Sequence, residues 1–495
     1  MSKNNQCKND TKNRKINKKD NTKYNNIQNN KETQKTLMTL FWPCFFEVLF
    51  LMLAGMIDTF MLSALNDKAV GGVGTANTYL SILIIMFSIT STGMVAVMTQ
   101  YIGAHMEYVA KKARNLGLLL NTILGVILSL ILGLFAKEIL TVMGIATTLL
   151  PYATSYMKII GGACIITAIL PIYNSYLRSF GHTKEPMYAT IFSNILNLIL
   201  NAIFLFGLKL GVEGVAIATV ISKIINLLIV IICSERNIHI AQIDGSDTTD
   251  ISSPISNESS DKTSSKITNN VTNKVTNKTI FKQIIKIGIP GAAETALYEL
   301  SMAIIIMLLN QMDPEGINVT ARTYVATITN FSYCAGIALA SSNCILLGWN
   351  IGKKDIKKCY KDTARALKYG LIVAFTISVA IFLFAIPLLG LFTSNKEIIK
   401  LATYLLFIDI FLELGRIANL VFANALKTAG DALYIVIVAS IIMLLVGAGG
   451  TYILGIKAEL LAIGAYISMA LDEIIRGIIS YFRFHSGKWE SKTLV

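Results

Sequence analysis

Twelve apolar stretches, six in each half of the chain with the second six echoing the first, leave this sequence few ways to fold. They run over approximately 37–64, 70–99, 115–136, 150–177, 187–208 and 212–234, then 282–311, 317–348, 367–392, 398–426, 432–455 and 458–482. Each is long enough to cross about 30 Å of hydrocarbon as a helix. Pro43-Cys-Phe-Phe-Glu47 returns as Pro290-Gly-Ala-Ala-Glu294, and Ile102-Gly103 as Ile351-Gly352. Leu177-Arg-Ser-Phe-Gly181 returns as Leu426-Lys-Thr-Ala-Gly430, and Ile221-Ser222 as Ile467-Ser468. The offsets are 247, 249, 249 and 246, in the same order along the chain. An even number of crossings per half brings both halves into the bilayer from the same side, so the repeats are parallel rather than inverted. The expected fold is an all-α membrane protein, with twelve transmembrane helices in two six-helix lobes related by a pseudo-two-fold axis along the membrane normal. Composition agrees: 54% of residues are hydrophobic and 15% charged, outside the range of a soluble domain.

The lysines orient the bundle. Residues 1–36 carry ten Lys or Arg against three Asp or Glu. Connections after even-numbered spans are basic: Lys111, Lys112 and Arg114, then Arg178 and Lys184, then Lys353, Lys354, Lys357, Lys358, Lys361 and Arg365. Connections after odd-numbered spans, such as Asn66-Asp67-Lys68, Lys137-Glu138 and Asp313-Pro-Glu315, are short and nearly neutral. The positive-inside rule then places both termini in the cytoplasm and the protein in a plasma or inner membrane. The formal net charge of +14 is a matter of topology and anionic lipid contact. The basic tail lacks the aromatic interleaving and folded platform of a nucleic-acid binder.

Five parts are expected: a disordered basic tail over 1–36, an N-lobe over 37–234, a Ser/Thr/Asn-rich cytoplasmic linker over 235–279, a C-lobe over 280–485 and a cytoplasmic tail over 486–495. The first apolar run, from Leu37, is too long for a signal-peptide core and has no small-residue cleavage site behind it. The seven cysteines show no paired close spacing, which implies neither a disulfide framework nor a metal site. The four histidines, His105, His182, His239 and His485, fall in loops, the linker or the end of the chain. With no phosphate-binding glycine loop either, ATP-driven pumping and metal-dependent hydrolysis are not expected. An ion gradient remains as the energy source.

Ionisable groups inside spans cost about 2.5–3.5 kcal/mol each on insertion scales, so each needs a reason. Glu47 and Asp58 in the first span are eleven residues apart and share a face roughly three turns apart. Asn194, Asn197 and Asn201 in the fifth span line up their amides, while Thr219 and Lys223 lie one turn apart in the sixth. A carboxylate, amide oxygens and a hydroxyl around one cavity suit a proton or a hard monovalent cation; the asparagines also suit interhelical hydrogen bonding. In the second half, Glu294 and Glu299 sit in the seventh span, and Asp409, Glu413 and Arg416 at i, i+4, i+7 in the tenth. Glu47, Glu294, Glu299, Asp409 and Glu413 are candidates for a substrate or second-lobe site, with Glu413 and Arg416 able to neutralise one another. Asp472 and Arg476 in the twelfth span read as a structural i, i+4 pair.

The chain resembles the multidrug and toxic compound extrusion transporters from about Pro43 to Trp489. The resemblance rests on Ile57-Asp58-Thr59, Gln100-Tyr-Ile-Gly103-Ala and Leu177-Arg-Ser-Phe-Gly181-His-Thr-Lys-Glu-Pro186. Asn197-Leu-Ile-Leu-Asn201, Gly211-Val-Glu-Gly214-Val-Ala-Ile-Ala-Thr219 and Leu426-Lys-Thr-Ala-Gly430-Asp431 complete it. It implies two lobes around a V-shaped cavity, with export of cationic or amphipathic compounds in exchange for sodium ions or protons. It also implies an N-lobe cation site at Asp58, Asn197 and Thr219. Asn201 stands where many relatives have Asp, and Lys223 where a neutral polar residue is commoner, which removes negative charge from that site. Arg416 stands where some sodium-coupled relatives have an acid, and Glu299 lies within one residue of an acidic position of theirs.

The expected function is secondary antiport of cationic or amphipathic drugs and toxins, coupled to protons in preference to sodium, with no cofactor. Asp58 and Lys223 are expected to approach one another as an ion pair that a proton breaks. The expected partners are small molecules and the lipid bilayer, not nucleic acid, and the chain is expected to act as a monomer. A lipid-linked oligosaccharide flippase is the alternative, and a membrane-embedded enzyme a more distant one; few basic residues within the spans and no intramembrane histidine argue against them.

Overall fold

The computed structural model describes residues 36–245, 275–312 and 316–495. The expected basic tail (Thr36 excepted), most of the expected linker and Asp313-Pro-Glu315 lie outside the described residues. The rest is helical: α1 Leu37–Ser63, α2 Asp67–Gly103, α3 Glu107–Val142, and α4 in two pieces, Leu150–Gly162 and Cys164–Ser179, bent by 48°. α5 is Lys184–Ala202 extended by a π turn, Ile203–Gly207, and α6 is Gly211–Gly245. The second half gives α7 Asn277–Met312, α8 Ile317–Gly352, α9 Ile356–Leu383, α10 Lys396–Thr428, α11 Ala432–Ile442 continued through Met443–Ala448 and Thr451–Lys457, and α12 Leu461–His485. Local chemistry starts several of them. Asn66 Oδ1 accepts from Ala69 N at 2.7 Å, Asp355 Oδ1 from Lys358 N at 3.0 Å and Asn395 Oδ1 from Glu397 N at 2.9 Å, each satisfying an otherwise orphaned donor.

Nine of these helices, or ten counting bent α4 as one span, are long and apolar enough to cross a membrane among the described residues. The two left over are α10 and α12, whose buried Asp409, Glu413, Arg416, Asp472, Glu473 and Arg476 place three charges within two turns of each.

The repeat persists in the backbone. Left-handed residues come in pairs 249 or 250 apart: His105 with Lys354, Gly181 with Gly430, Lys209 with Glu459, and Gly211 with Leu461. Packing pairs likewise. α1 packs on α5 and α8 while α7 packs on α11 and α2; α2 packs on α3 and α4 while α8 packs on α9 and α10; α4 meets α6 as α10 meets α12.

The halves also exchange the starts of their first helices. Leu37, Leu40, Phe41 and Cys44 of α1 bury themselves among Ala338, Leu339, Leu346 and Val421 of the second half. Ile280 and Ile284 of α7 bury themselves among Met94, Met98, Ala113 and Ile172 of the first. Between these exchanged segments the helices touch backbone to backbone. A Cβ on Gly93 would collide with the Ile284 carbonyl, and one on Gly288 with the Ile89 carbonyl. Gly103 abuts Trp349, and Gly352 abuts Gln100, in the same manner. All these contacts lie toward the end of the bundle where α2 and α8 finish. Toward the opposite end α1 and α8 part, leaving a cleft of about 530 Å³ lined by Met52, Met56, Phe60, Asn330 and Phe331 among others.

Residues 486–495, expected as a tail, fold back onto the bundle. Trp489 is fully buried, stacks on Phe484 with ring centroids 5.3 Å apart and donates to the Phe484 carbonyl at 2.8 Å. Small residues at the seam set its tightness, so Gly288→Ala should cost about 1–3 kcal/mol of stability through overpacking. Gly74→Ala, whose Cβ would meet nothing within 4 Å, should be neutral by comparison. Thermal unfolding of the two purified variants in detergent measures the difference.

Candidate functional site

Helices α1, α5 and α6 bring a chain of polar side chains into the first half. Asn201 Nδ2 donates to Asp58 Oδ1 at 2.6 Å and to Asn197 Oδ1 at 3.1 Å, and Asn197 Nδ2 donates to Thr219 Oγ1 at 3.3 Å. Asn197 and Asn201 are one turn apart on α5, so their amides reach the same gap, into which α1 presents Asp58 and α6 presents Thr219. Asn201 Oδ1 is buried without a donor, a free acceptor beside a carboxylate. Asn194, the third member of the stripe, instead ties α5 to α1 by donating to the Phe50 carbonyl at 2.8 Å.

Lys223 differs from expectation. It forms no ion pair with Asp58 among the described residues; its ammonium turns to α4 and lies 3.5 Å from Thr167 Oγ1. One turn beyond Thr219 the side chain projects between α6 and α4, and a hydroxyl there takes the hydrogen bond. Thr167, and Tyr156 on α4, which neighbours both Asn77 and Asp58, went unnoticed in the sequence. An isolated hydroxyl in an apolar span carries no signal of its partners.

The second half holds a denser network. Arg416 pairs with Glu413 within α10 and lies 3.7 Å from Glu473 of α12. Arg476 pairs with Asp472 at 2.5 Å and with Glu473 at 3.0 Å, and Asn419 Nδ2 donates to Glu473 Oε2 at 2.9 Å. The Arg416 guanidinium also sits over the Tyr333 ring, 5.3 Å from its centroid, a cation–π arrangement. Asp409 is buried one turn from Glu413. Asp409, Glu413, Asp472 and Glu473 thus face Arg416 and Arg476, four carboxylates against two guanidiniums. Glu413 Oε2 and Arg416 Nε remain without hydrogen bonds. Glu473 was passed over in sequence, though a second acid beside Asp472 in an apolar span was a signal.

The remaining candidates stand apart. Glu47 pairs with Arg178 at 2.5 Å and Glu294 with Lys427 at 2.8 Å, both toward the closed end of the bundle. Glu299 is exposed on α7 and has no ion pair among the described residues. No cluster of metal-ligating side chains occurs among the described residues.

Comparison with known proteins agrees with this architecture. The MatE family model matches the chain twice, over residues 43–203 and 290–453, one match to each copy of the repeat. The uncharacterized transporter YisQ of Bacillus subtilis (strain 168) is 32% identical over 460 residues, spanning 92% of this chain and 95% of that protein. The probable multidrug resistance protein NorM of Thermotoga maritima is 23% identical over 464 residues, 92% of each chain. Among solved structures, a MATE crystal structure in the bent conformation superposes with a TM-score of 0.77 at 19% identity, covering 93% of this chain and 97% of that one. An outward-facing multidrug resistance MATE transporter gives a TM-score of 0.77 at 18% identity, covering 91% and 96%. A family match over both halves, and a relative this similar along almost its whole length, establish the membership: this chain is a multi-pass membrane transporter of the MatE family, the multidrug and toxic compound extrusion transporters.

Proposed function

We propose that this transporter exports cationic or amphipathic small molecules from the cytoplasm by alternating access, in exchange for protons that bind at Asp58. The observation that carries this reading is the hydrogen-bonded chain Asp58–Asn201–Asn197–Thr219 in a lobe that also holds the ammonium of Lys223. With both termini cytoplasmic, the closed end of the bundle faces the cytoplasm and the cleft faces outward. The state described is then the one that loads protons and releases substrate.

The chemistry follows from what a proton does to this chain. Ionised, Asp58 accepts a charge-assisted hydrogen bond from Asn201, roughly twice as strong as a neutral one. A proton on the carboxyl weakens that link between α1 and α5 and biases the lobe toward a second arrangement. Asn201 in place of an acid and Lys223 nearby both lower the attraction for a sodium ion, whereas a proton needs one carboxylate and one acceptor. The outer cleft supports the substrate class: its walls are apolar and include two methionines, with Thr59, Ser63, Thr327 and Asn330 as hydrogen-bonding groups and no Lys or Arg among the described residues that line it. A lipid-linked headgroup phosphate would find no cation there.

A second reading puts coupling in the other lobe, where four buried carboxylates face two guanidiniums. The two readings separate by mutation. In proteoliposomes, Asp58→Asn should abolish efflux driven by an imposed proton gradient while leaving substrate binding measurable. If Asp58→Asn retains driven transport and Asp409→Asn abolishes it, coupling belongs to the second lobe. Wild-type transport that follows a sodium gradient at fixed pH and ignores a proton gradient would sink proton coupling altogether.

The cleft gives an independent test. A Cβ on Gly55 meets nothing within 4 Å, and Gly55 lines the cleft. Gly55→Leu should therefore fill substrate space without straining the helix, weakening binding of bulky cations about tenfold, as expected when on the order of 1–3 kcal/mol of apolar contact is displaced. Equilibrium binding of a fluorescent cation to the purified protein reads this directly.

A further inference from the structure

The repeat motif quoted first from the sequence reappears as two partly buried ion pairs in equivalent places. Glu47 on α1 binds Arg178 at the end of α4, and Glu294 on α7 binds Lys427 at the end of α10. The acids are 247 residues apart and the bases 249. Beside each pair a hydrogen bond crosses between the halves, and these two bonds are twins as well. Trp349 Nε1 of α8 donates to the Ser179 carbonyl at 2.9 Å, and Gln100 Nε2 of α2 donates to the Thr428 carbonyl at 2.6 Å. Both donors and both acceptors are 249 residues apart.

Each pair ties a helix whose start packs in the opposite half back to a helix of its own half. Glu47 lies one turn beyond the segment of α1 that packs in the second half, yet its partner Arg178 belongs to the first. Glu294 lies beyond the segment of α7 that packs in the first half, and Lys427 belongs to the second. A third strap runs on one side. Lys492 and Arg483 bind Asp431 at 2.5 Å and 2.7 Å, and the chain then crosses to place Leu494 N 2.8 Å from Gln100 Oε1. The first of the twins is not fully satisfied, because Glu47 Oε2 and Arg178 Nε are buried without hydrogen-bond partners.

We infer that Glu47–Arg178 and Glu294–Lys427 form a twinned charge latch that holds the cytoplasmic face shut and must open on both sides for the inward-facing state. This rests on the alternating-access reading above. Removing one member of a buried pair leaves an uncompensated charge, so it weakens the closed state far more than loss of a surface pair. Because the two pairs clamp one rigid-body contact, breaking either side loosens the other.

Two native cysteines serve as reporters. Cys44 is buried beside Arg178, Glu47 and Ser342, and Cys344 is buried beside Lys427 and Thr428. In proteins keeping one of these as sole cysteine, a membrane-impermeant maleimide is applied to the cytoplasmic face of inside-out vesicles. Each latch variant is read at the far cysteine, which removes the direct effect of the lost charge on the near thiol. Glu294→Gln should speed labelling of Cys44, and Glu47→Gln labelling of Cys344, each by about tenfold or more as the open population rises. The reversed pair, Glu47→Arg with Arg178→Glu, should return Cys344 to slow labelling, which a misfolded protein does not do. Acceleration confined to the near cysteine, or none at either, would overturn the latch. Labelling needs neither substrate nor gradient, so failure of the export reading and failure of the latch give different results.

Discussion

The close approach of α2 to α7 and α8 is the contact on which the rest of this bundle depends. Inside a membrane the lipid is as apolar as the helices, so packing and polar pairing hold helices together in place of water's exclusion. Gly93, Gly288, Gly103 and Gly352 let backbones meet where any side chain would hold them apart. That proximity puts Gln100 and Trp349 within reach of carbonyls across the boundary, and lets the starts of α1 and α7 bury themselves in the opposite half. Neither lobe is complete at this end without a segment of the other. A contact with parts exchanged both ways resists partial separation, so it favours two discrete states over a continuum of openings.

Much of this was legible in the sequence, and the physical reasons are specific. Span length and hydropathy are local properties, so the helices fall where the apolar runs predict, apart from end effects such as α6 continuing to Gly245. Three of the four echoes that marked the repeat fall at structural joints: Glu47 and Glu294, Arg178 and Lys427, Gly103 and Gly352 all lie in the closed end. Spacing on α5 placed Asn197 and Asn201 on one face, and the chain to Asp58 and Thr219 is present.

What stayed hidden was partner choice across long sequence separations. Glu47 read as a cavity carboxylate because its partner, Arg178, lies 131 positions later at the far end of another helix. Glu294 misled in the same way, since Lys427 stands outside its own helix. Lys223 was expected at Asp58 because the two are opposite charges on the first and sixth spans, yet a flexible four-carbon stem reaches Thr167 as readily. Periodicity gives a residue's face but not which neighbour the side chain meets there.

The two lobes share a scaffold but not an electrostatic design. In the first, the Asp58 carboxylate sits among neutral amides and a hydroxyl, with one ammonium a helix away. In the second, α10 and α12 carry a network in which Arg416 and Arg476 each lie between two acids. Breaking one member of such a network leaves an unpaired buried charge, which costs several kcal/mol, roughly 3–5, so the second lobe is the more rigid body. In the first lobe the Asp58 carboxylate is held by a single short hydrogen bond from Asn201, which costs less to break than an ion-pair network. Duplication supplied two equal halves. The arginine-bridged network belongs to one lobe only, and in the other Asp58 is held by an amide rather than by a guanidinium.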